Sequence, residues 1–304
     1  MEIAAIGASA TVGRGIARGW RVLHSTVRFD EVLVLQGPPL LGALLAAGRP
    51  RLGMLPALAL FGVGSCGLVA HIFLLNDWAG LDGDRRDSNR MRSAYATESV
   101  PRRTLGHLCV VSLLLTLVVM STFGTRTLAI SLAIAGLSAL YSLPPHPAKG
   151  APFLGSLLHL TGGVLHFHLG YLLFGTFGGR SLALSAFFAL TFAAGHLMQE
   201  VRDYDADLLN CIRTSTVVFG RTAAFVAGLV LFALADALLV GLAVGGVVPR
   251  SLVLAAPLFI VHLGLSLQTL HAGLTFESIR RLRRRYRRLY IIIGGLMLSA
   301  AFAG

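Results

Sequence analysis

Two short stretches hold most of the acidic side chains in this chain. One reads NDWAGLDGD (76–84) and the other QEVRDYDAD (199–207). Of the 14 Asp and Glu in 304 residues, nine fall within 77–98 and 200–207. Their spacing is helical. Asn76, Gly80 and Asp84 are four apart and share one helix face, and Asp77, seven before Asp84, lies near that face. Glu200, Asp203 and Asp207 form a second stripe. Two such stripes facing each other would hold a hard divalent cation. Mg²⁺ takes one or two carboxylates and fills its shell with water and substrate phosphate oxygens, so the pattern points to a phosphate or diphosphate substrate. Arg90 and Arg213 lie close by in sequence and would complement such an anion by bidentate contacts. Lys149, the only lysine, is a further cation for the same purpose. Carboxylates beside arginines at a helix end also form solvated ion-pair clusters. Two stripes with this spacing, each beside an apolar segment, favour the metal–diphosphate reading.

The rest of the chain says what positions them. It is 55% hydrophobic and 13% charged, with a mean hydropathy of +0.74; a soluble domain carries about 25% charged residues. Nine apolar stretches approach the roughly 20 residues of a membrane-spanning helix: about 31–48, 54–75, 105–123, 127–143, 153–177, 182–199, 222–243, 250–270 and 288–303. The first contains Gly37-Pro38-Pro39 and the last is short. The expectation is an all-α, polytopic membrane protein, with an N-terminal segment (1–30) and a transmembrane domain (31–304).

With the N-terminus cytoplasmic, 21 of the 26 Lys and Arg lie on the cytoplasmic side, and only Arg49, Arg51, Arg126, Arg180 and Arg250 lie opposite. This positive-inside bias puts both acidic stripes and Lys149 at the cytoplasmic face of the cell membrane. The net charge of +12 then reads as orientation and not as a nucleic-acid footprint. The run RRLRRRYRR (280–288) reads as an orientation signal in contact with anionic lipid. Cys66, Cys109 and Cys211 have no paired spacing, which excludes a disulfide framework or zinc site. Residues 1–30 lack the apolar core of a cleavable signal peptide. The glycines of IAAIGASATVGRGIA (3–17) imitate a dinucleotide-binding turn, but a span beginning near residue 31 leaves no room for the βαβ unit such a turn needs.

Polar residues also occur inside spans. LLHLTGGVLHFHLGY (157–171) carries His159, His166 and His168, and His196 lies in the next span. They could contact a polar acceptor, act as a base, or tie helices together. Gly162-Gly163 allows close approach of a helix or a substrate. A coupled transporter would also have many spans, but it would place charges at mid-membrane; here Asp236 is almost alone within a span.

The two acidic motifs resemble the paired NDxxDxxxD and DxxxD signatures of the UbiA superfamily of intramembrane prenyltransferases. They read NDWAGLDGD (76–84) and DYDAD (203–207) here. YSLPPHPAKG (141–150) and IRTSTVVFGR (212–221) are similar to two further stretches of that family. The resemblance covers nearly the whole chain from about residue 28. It implies helices around a central cavity open to lipid, with Mg²⁺ bound by the two motifs. It also implies Mg²⁺-dependent transfer of a polyprenyl group from a polyprenyl diphosphate donor to an aromatic or lipid-like hydrophobic acceptor. By position it assigns Asn76, Asp77, Asp84, Asp203 and Asp207 to the metal, and Lys149 to the diphosphate; Tyr141 could contact the donor or cap its loop. One branch of the family instead transfers phosphoribose to a polyprenyl phosphate. Gly80 departs from the pattern, since the family has aspartate there. Either Asp82 or Glu200 substitutes, or the site works with fewer metals, or the fold persists without the chemistry.

Overall fold

The structure, a computed structural model, describes residues 24, 26–48, 51–89, 100–144 and 147–303. It is all-helical, with no strand among those residues. The helices are α1 (Phe29–Val34), α2 (Gly37–Ala47), α3 (Leu55–Asp84), α4 (Arg102–Ser121), α5 (Thr125–Ser142), α6 (Leu154–Tyr171), α7 (Gly179–Leu209), α8 (Ser215–Phe219), α9 (Arg221–Val244), α10 (Ala255–His271) and α11 (Phe276–Ala303). Among the described residues, six segments are long and apolar enough to cross a membrane: 29–47, 52–84, 102–121, 179–209, 221–244 and 250–271. The expected count of nine is not reached by that measure. Hydroxyl residues dilute α5, three His and four Gly dilute α6, and the arginine run occupies the first half of α11.

Lipid-facing surfaces are apolar. Val118 on α4 and Ile260 on α10 are 66% and 68% exposed, as suits helices whose outer solvent is hydrocarbon. The interior is built from close helix contacts instead. α3 packs along α4, α6 along α7, α7 along α9, and α2 along α6. Two glycines permit the last of these: a Cβ on Gly170 would lie 1.7 Å from the Pro39 carbonyl oxygen, and one on Gly42 would lie 2.4 Å from that of Phe167. Small residues at such crossings let backbones approach where apolar burial alone gives no drive for association. The Gly37-Pro38-Pro39 stretch does not destroy the first span. It starts a new helix, with proline at the first positions where no backbone donor is missed.

The two motif-bearing helices are the longest. α3 has 30 residues and α7 has 31, or about 45 Å each, against an apolar bilayer core of about 30 Å. Their last turns therefore carry the polar sequence beyond the apolar layer as continuous helix. α3 runs as continuous helix through Gly80 and Gly83. Gly83 receives Asn210, whose side-chain amide lies 3.1 Å from where a Cβ would sit and donates to the Ala206 carbonyl of its own helix. The ends of α3 and α7 are held together there.

Candidate active site

A cavity of about 1200 Å³ opens between these two ends and runs into the helix bundle. Its polar end has two walls. α3 contributes Asn76, Gly80, Asp82 and Asp84; α7 contributes Glu200, Asp203 and Asp207. Lys149 enters from a single turn, Ala148–Gly150, anchored by buried Ala148. Tyr141, at the end of α5, also lines it. The inner end is apolar, with Leu41, Ile134, Phe187, Phe188, Ile293 and Met297 among its walls.

Several expected site residues stand elsewhere. Asp77 does not line the cavity. It is fully buried and ion-paired with Arg28, because one residue of helix rotates the side chain by about 100° away from the Asn76–Gly80–Asp84 face. Glu200 reaches the cavity wall but is engaged in the protein. Its Oε2 accepts from the Thr216 backbone N–H at 3.0 Å and from the Thr216 hydroxyl at 3.3 Å, and its Oε1 lies 3.0 Å from His196 Nε2. The carboxylate thus satisfies an otherwise orphaned donor at the start of α8. Arg213 is exposed and does not line the cavity; Arg90 lies outside the described residues. Asp203 is held by Arg202 through two contacts of 2.7 and 2.6 Å.

The histidines divide. His166 Nε2 lies 2.8 Å from the Leu35 carbonyl at the break between α1 and α2, and His168 bonds within α6 and to Ser181; these two tie helices together. His159 and His196 stack at 3.9 Å with nearly parallel rings, with the Tyr141 ring edge-on to both, and all three line the cavity. The paired glycines divide as well. Gly162 faces the cavity, while a Cβ on Gly163 would meet the Ala189 backbone at 2.7 Å.

Sequence reasoning missed a second polar lining. Arg28, Glu31, Arg283 and Arg287 border the cavity, and Glu31 is bridged by Arg283 at 2.8 Å and Arg287 at 3.5 Å. Two arginines of the 280–288 run therefore face inward. The other five are exposed and keep the membrane-surface reading. The signal lay in the run's own interruptions, since Leu282 and Tyr286 share a buried face with Ile279.

Among the described residues, no three His, Cys, Asp or Glu side chains gather closely enough to hold a metal unaided. Asp84 on the α3 wall and Asp203 and Asp207 on the α7 wall fit the other mode, in which a hard cation takes one or two carboxylates and completes its shell with substrate oxygens.

A family model described as the UbiA prenyltransferase family matches residues 37–282. The chain belongs to this family. Among solved structures, a UbiA homologue from Archaeoglobus fulgidus bound to DMAPP and Mg²⁺ aligns with a TM-score of 0.73 at 19% identity, covering 92% of this chain and 97% of its own. The apo UbiA homologue from Aeropyrum pernix K1 aligns at 0.71 and 18% identity, over 89% and 98%. A structure of digeranylgeranylglyceryl phosphate synthase aligns at 0.67 and 15% identity, over 94% and 99%. Comparison with curated protein sequences finds no match. At these identities the structures establish a common fold, and the family match establishes a multi-pass membrane protein of the prenyltransferase family.

Proposed function

We propose that this UbiA-family protein transfers a prenyl group from a prenyl diphosphate to a hydrophobic acceptor within the membrane, with Mg²⁺ bound alongside the diphosphate. The observation that carries the reading is one cavity with a carboxylate-and-lysine end and an apolar interior. Its 1200 Å³ exceeds the 300–1000 Å³ typical of a single small-ligand site, leaving room for an isoprenoid chain and an acceptor together.

In this assignment Asp84, Asp203 and Asp207, with Asn76, would hold a divalent cation beside the diphosphate, and Lys149 contacts the diphosphate directly. The allylic C–O bond breaks and the electron pair leaves with diphosphate; Lys149 meets the charge that grows there, and a bound cation would supply further positive charge. The phenyl walls of Phe187 and Phe188 and the aliphatic wall around them keep water from the carbocation-like carbon. The acceptor forms the new bond and gives up a proton. His159 and His196, stacked beside Tyr141, are the imidazoles placed to meet it. Asp77 and Glu200 are positioning residues in this reading: Asp77 anchors the chain before α1 through Arg28, and Glu200 fixes α8 against α7. The polar end faces the cytoplasm by the positive-inside bias.

The relative bound to DMAPP and Mg²⁺, and the same homologue bound to GPP and Mg²⁺, support a prenyl diphosphate donor. The test is diphosphate release from farnesyl and geranylgeranyl diphosphate by the protein in lipid, with a membrane lipid extract as acceptor source. Release that needs Mg²⁺ and stops with EDTA is the expected result, with the product identified by mass. No release from either donor, but phosphoribosylation of a polyprenyl phosphate, would move the protein to the alternative branch. Neither activity would leave a fold without this chemistry.

A further inference from the structure

One face of α11 carries a second polar group into the cavity, apart from the two acidic stripes. Arg283, Tyr286, Arg287, Tyr290, Gly294 and Met297 follow one another at helical steps and all line it. The face is graded: cationic in its first turns, phenolic in the middle and aliphatic at the far end. Arg283 Nη2 donates to Glu31 Oε2 at 2.8 Å, and Arg287 Nη1 to Glu31 Oε1 at 3.5 Å. Among the described residues Glu31 is the only carboxylate that either arginine meets. Two guanidinium groups on one carboxylate leave this cluster one positive charge in excess. Both side chains are largely buried, and charge held this close to an apolar interior is costly unless it has a task. A guanidinium is a planar fork that matches a carboxylate or phosphate, and each of these two spends only one nitrogen on Glu31. One turn deeper, the Tyr286 and Tyr290 rings stand 5.2 and 5.4 Å from that of Phe232, and the Tyr290 hydroxyl donates to Asp236 at 2.9 Å, which fixes α11 against α9.

We propose that Arg283 and Arg287 form an acceptor subsite and that the acceptor is an acid: an apolar body lying on the α11 rings, with a carboxylate or phosphate held by the two guanidinium groups. The proposal rests on the prenyl-transfer reading above and adds the acceptor's charge and the residues that select it. The donor diphosphate has its own wall on other elements, α3, α7 and the turn of Lys149. α11 packs along α7, so the acid is anchored in the same cavity as the allylic carbon. Glu31 competes with the acid for both arginines, and Arg287, with the longer contact, is the more easily released.

The test uses the purified full chain in lipid, farnesyl and geranylgeranyl diphosphate as donors, and a whole-cell extract of the source cells split by anion exchange. The retained, acidic fraction should support diphosphate release above the level without extract, and the unretained fraction should not. With the acidic fraction, Arg287→Gln should raise the half-saturating acceptor concentration about tenfold or more, the scale of a lost charge-assisted contact, with the donor KM within twofold of wild type. Arg287→Lys, which keeps the charge, should recover part of that loss. Glu31→Gln removes the competing carboxylate and should lower the half-saturating concentration severalfold, whereas a merely structural ion pair would make both variants weaker alike. Thermal unfolding curves confirm that each variant folds. Release supported equally or better by the unretained fraction overturns the proposal and leaves the transferase reading intact. So does an acceptor dependence that Arg287→Gln leaves unchanged, or that Glu31→Gln weakens as Arg287→Gln does. A donor KM that rises equally in Arg287→Gln does the same and gives the arginines to the diphosphate. No release above background with either fraction overturns the transferase reading, and the proposal with it.

Discussion

The two acidic arms look alike in sequence and differ in the structure. On α3, helical rotation sorts the carboxylates: Asp84 faces the cavity, Asp77 turns into the protein toward Arg28, and exposed Asp82 meets Arg102 at 3.1 Å. On α7 the three-and-four spacing keeps Glu200, Asp203 and Asp207 on one side, where Glu200 accepts from Thr216 and Asp203 pairs with Arg202. Asp205, between them, faces outward and pairs with Arg221. Helix phase therefore separates the carboxylates of an acidic motif into those that line the cavity and those that turn away from it. On the α3 arm Gly80 lies opposite Lys149, and on the α7 arm Asp203 and Asp207 line the cavity one turn apart.

Five substitutions sharpen this comparison. The largest effect belongs to the cavity-facing carboxylates: Asp84→Asn and Asp207→Asn should each lower diphosphate release by about a hundredfold or more, the scale of removing an electrostatic partner of the leaving group, in a steady-state assay at saturating Mg²⁺. Next is Asp77→Asn. Breaking a buried ion pair from one side costs about 3 kcal/mol, so its main signature should be a lowered unfolding midpoint. Glu200→Gln should be milder, at about 1–2 kcal/mol from weakened bonds to Thr216, read as earlier thermal unfolding with release rates reduced severalfold. Smallest of all, Asp82→Asn, at an exposed ion pair, should change stability by less than about 1 kcal/mol and leave diphosphate release within twofold.

Much of this was legible in the sequence, for physical reasons. Charged fraction and apolar run length are set by the solvent around the chain, so the all-helical membrane fold followed from composition. The motif spacing fixed one face of α3 and one of α7, and the structure brings both to a single cavity with Lys149 and Tyr141. Three things were not legible. A seven-residue interval placed Asp77 near the Asp84 face, but a residue that far round the helix is claimed by whichever partner packs there, and Arg28 is remote in sequence. The inward turn of Arg283 and Arg287 depends on Glu31, about 250 residues away. The meaning of Gly80 depends on what occupies the space opposite it, which only the folded chain defines. Gly80 and Gly83 both line the cavity, and Gly83 also seats Asn210, which no local pattern foretold.

The most direct test is the dissociation constant of geranyl S-thiolodiphosphate with Mg²⁺ for Asp84→Asn against Asp77→Asn, each measured well below its unfolding temperature. Facing carboxylates that hold the cation predict a loss of about tenfold or more for Asp84→Asn and a change within threefold for Asp77→Asn. Equal losses in both, with Asp77→Asn still folded, would contradict the division of the α3 arm into a site residue and a scaffold residue.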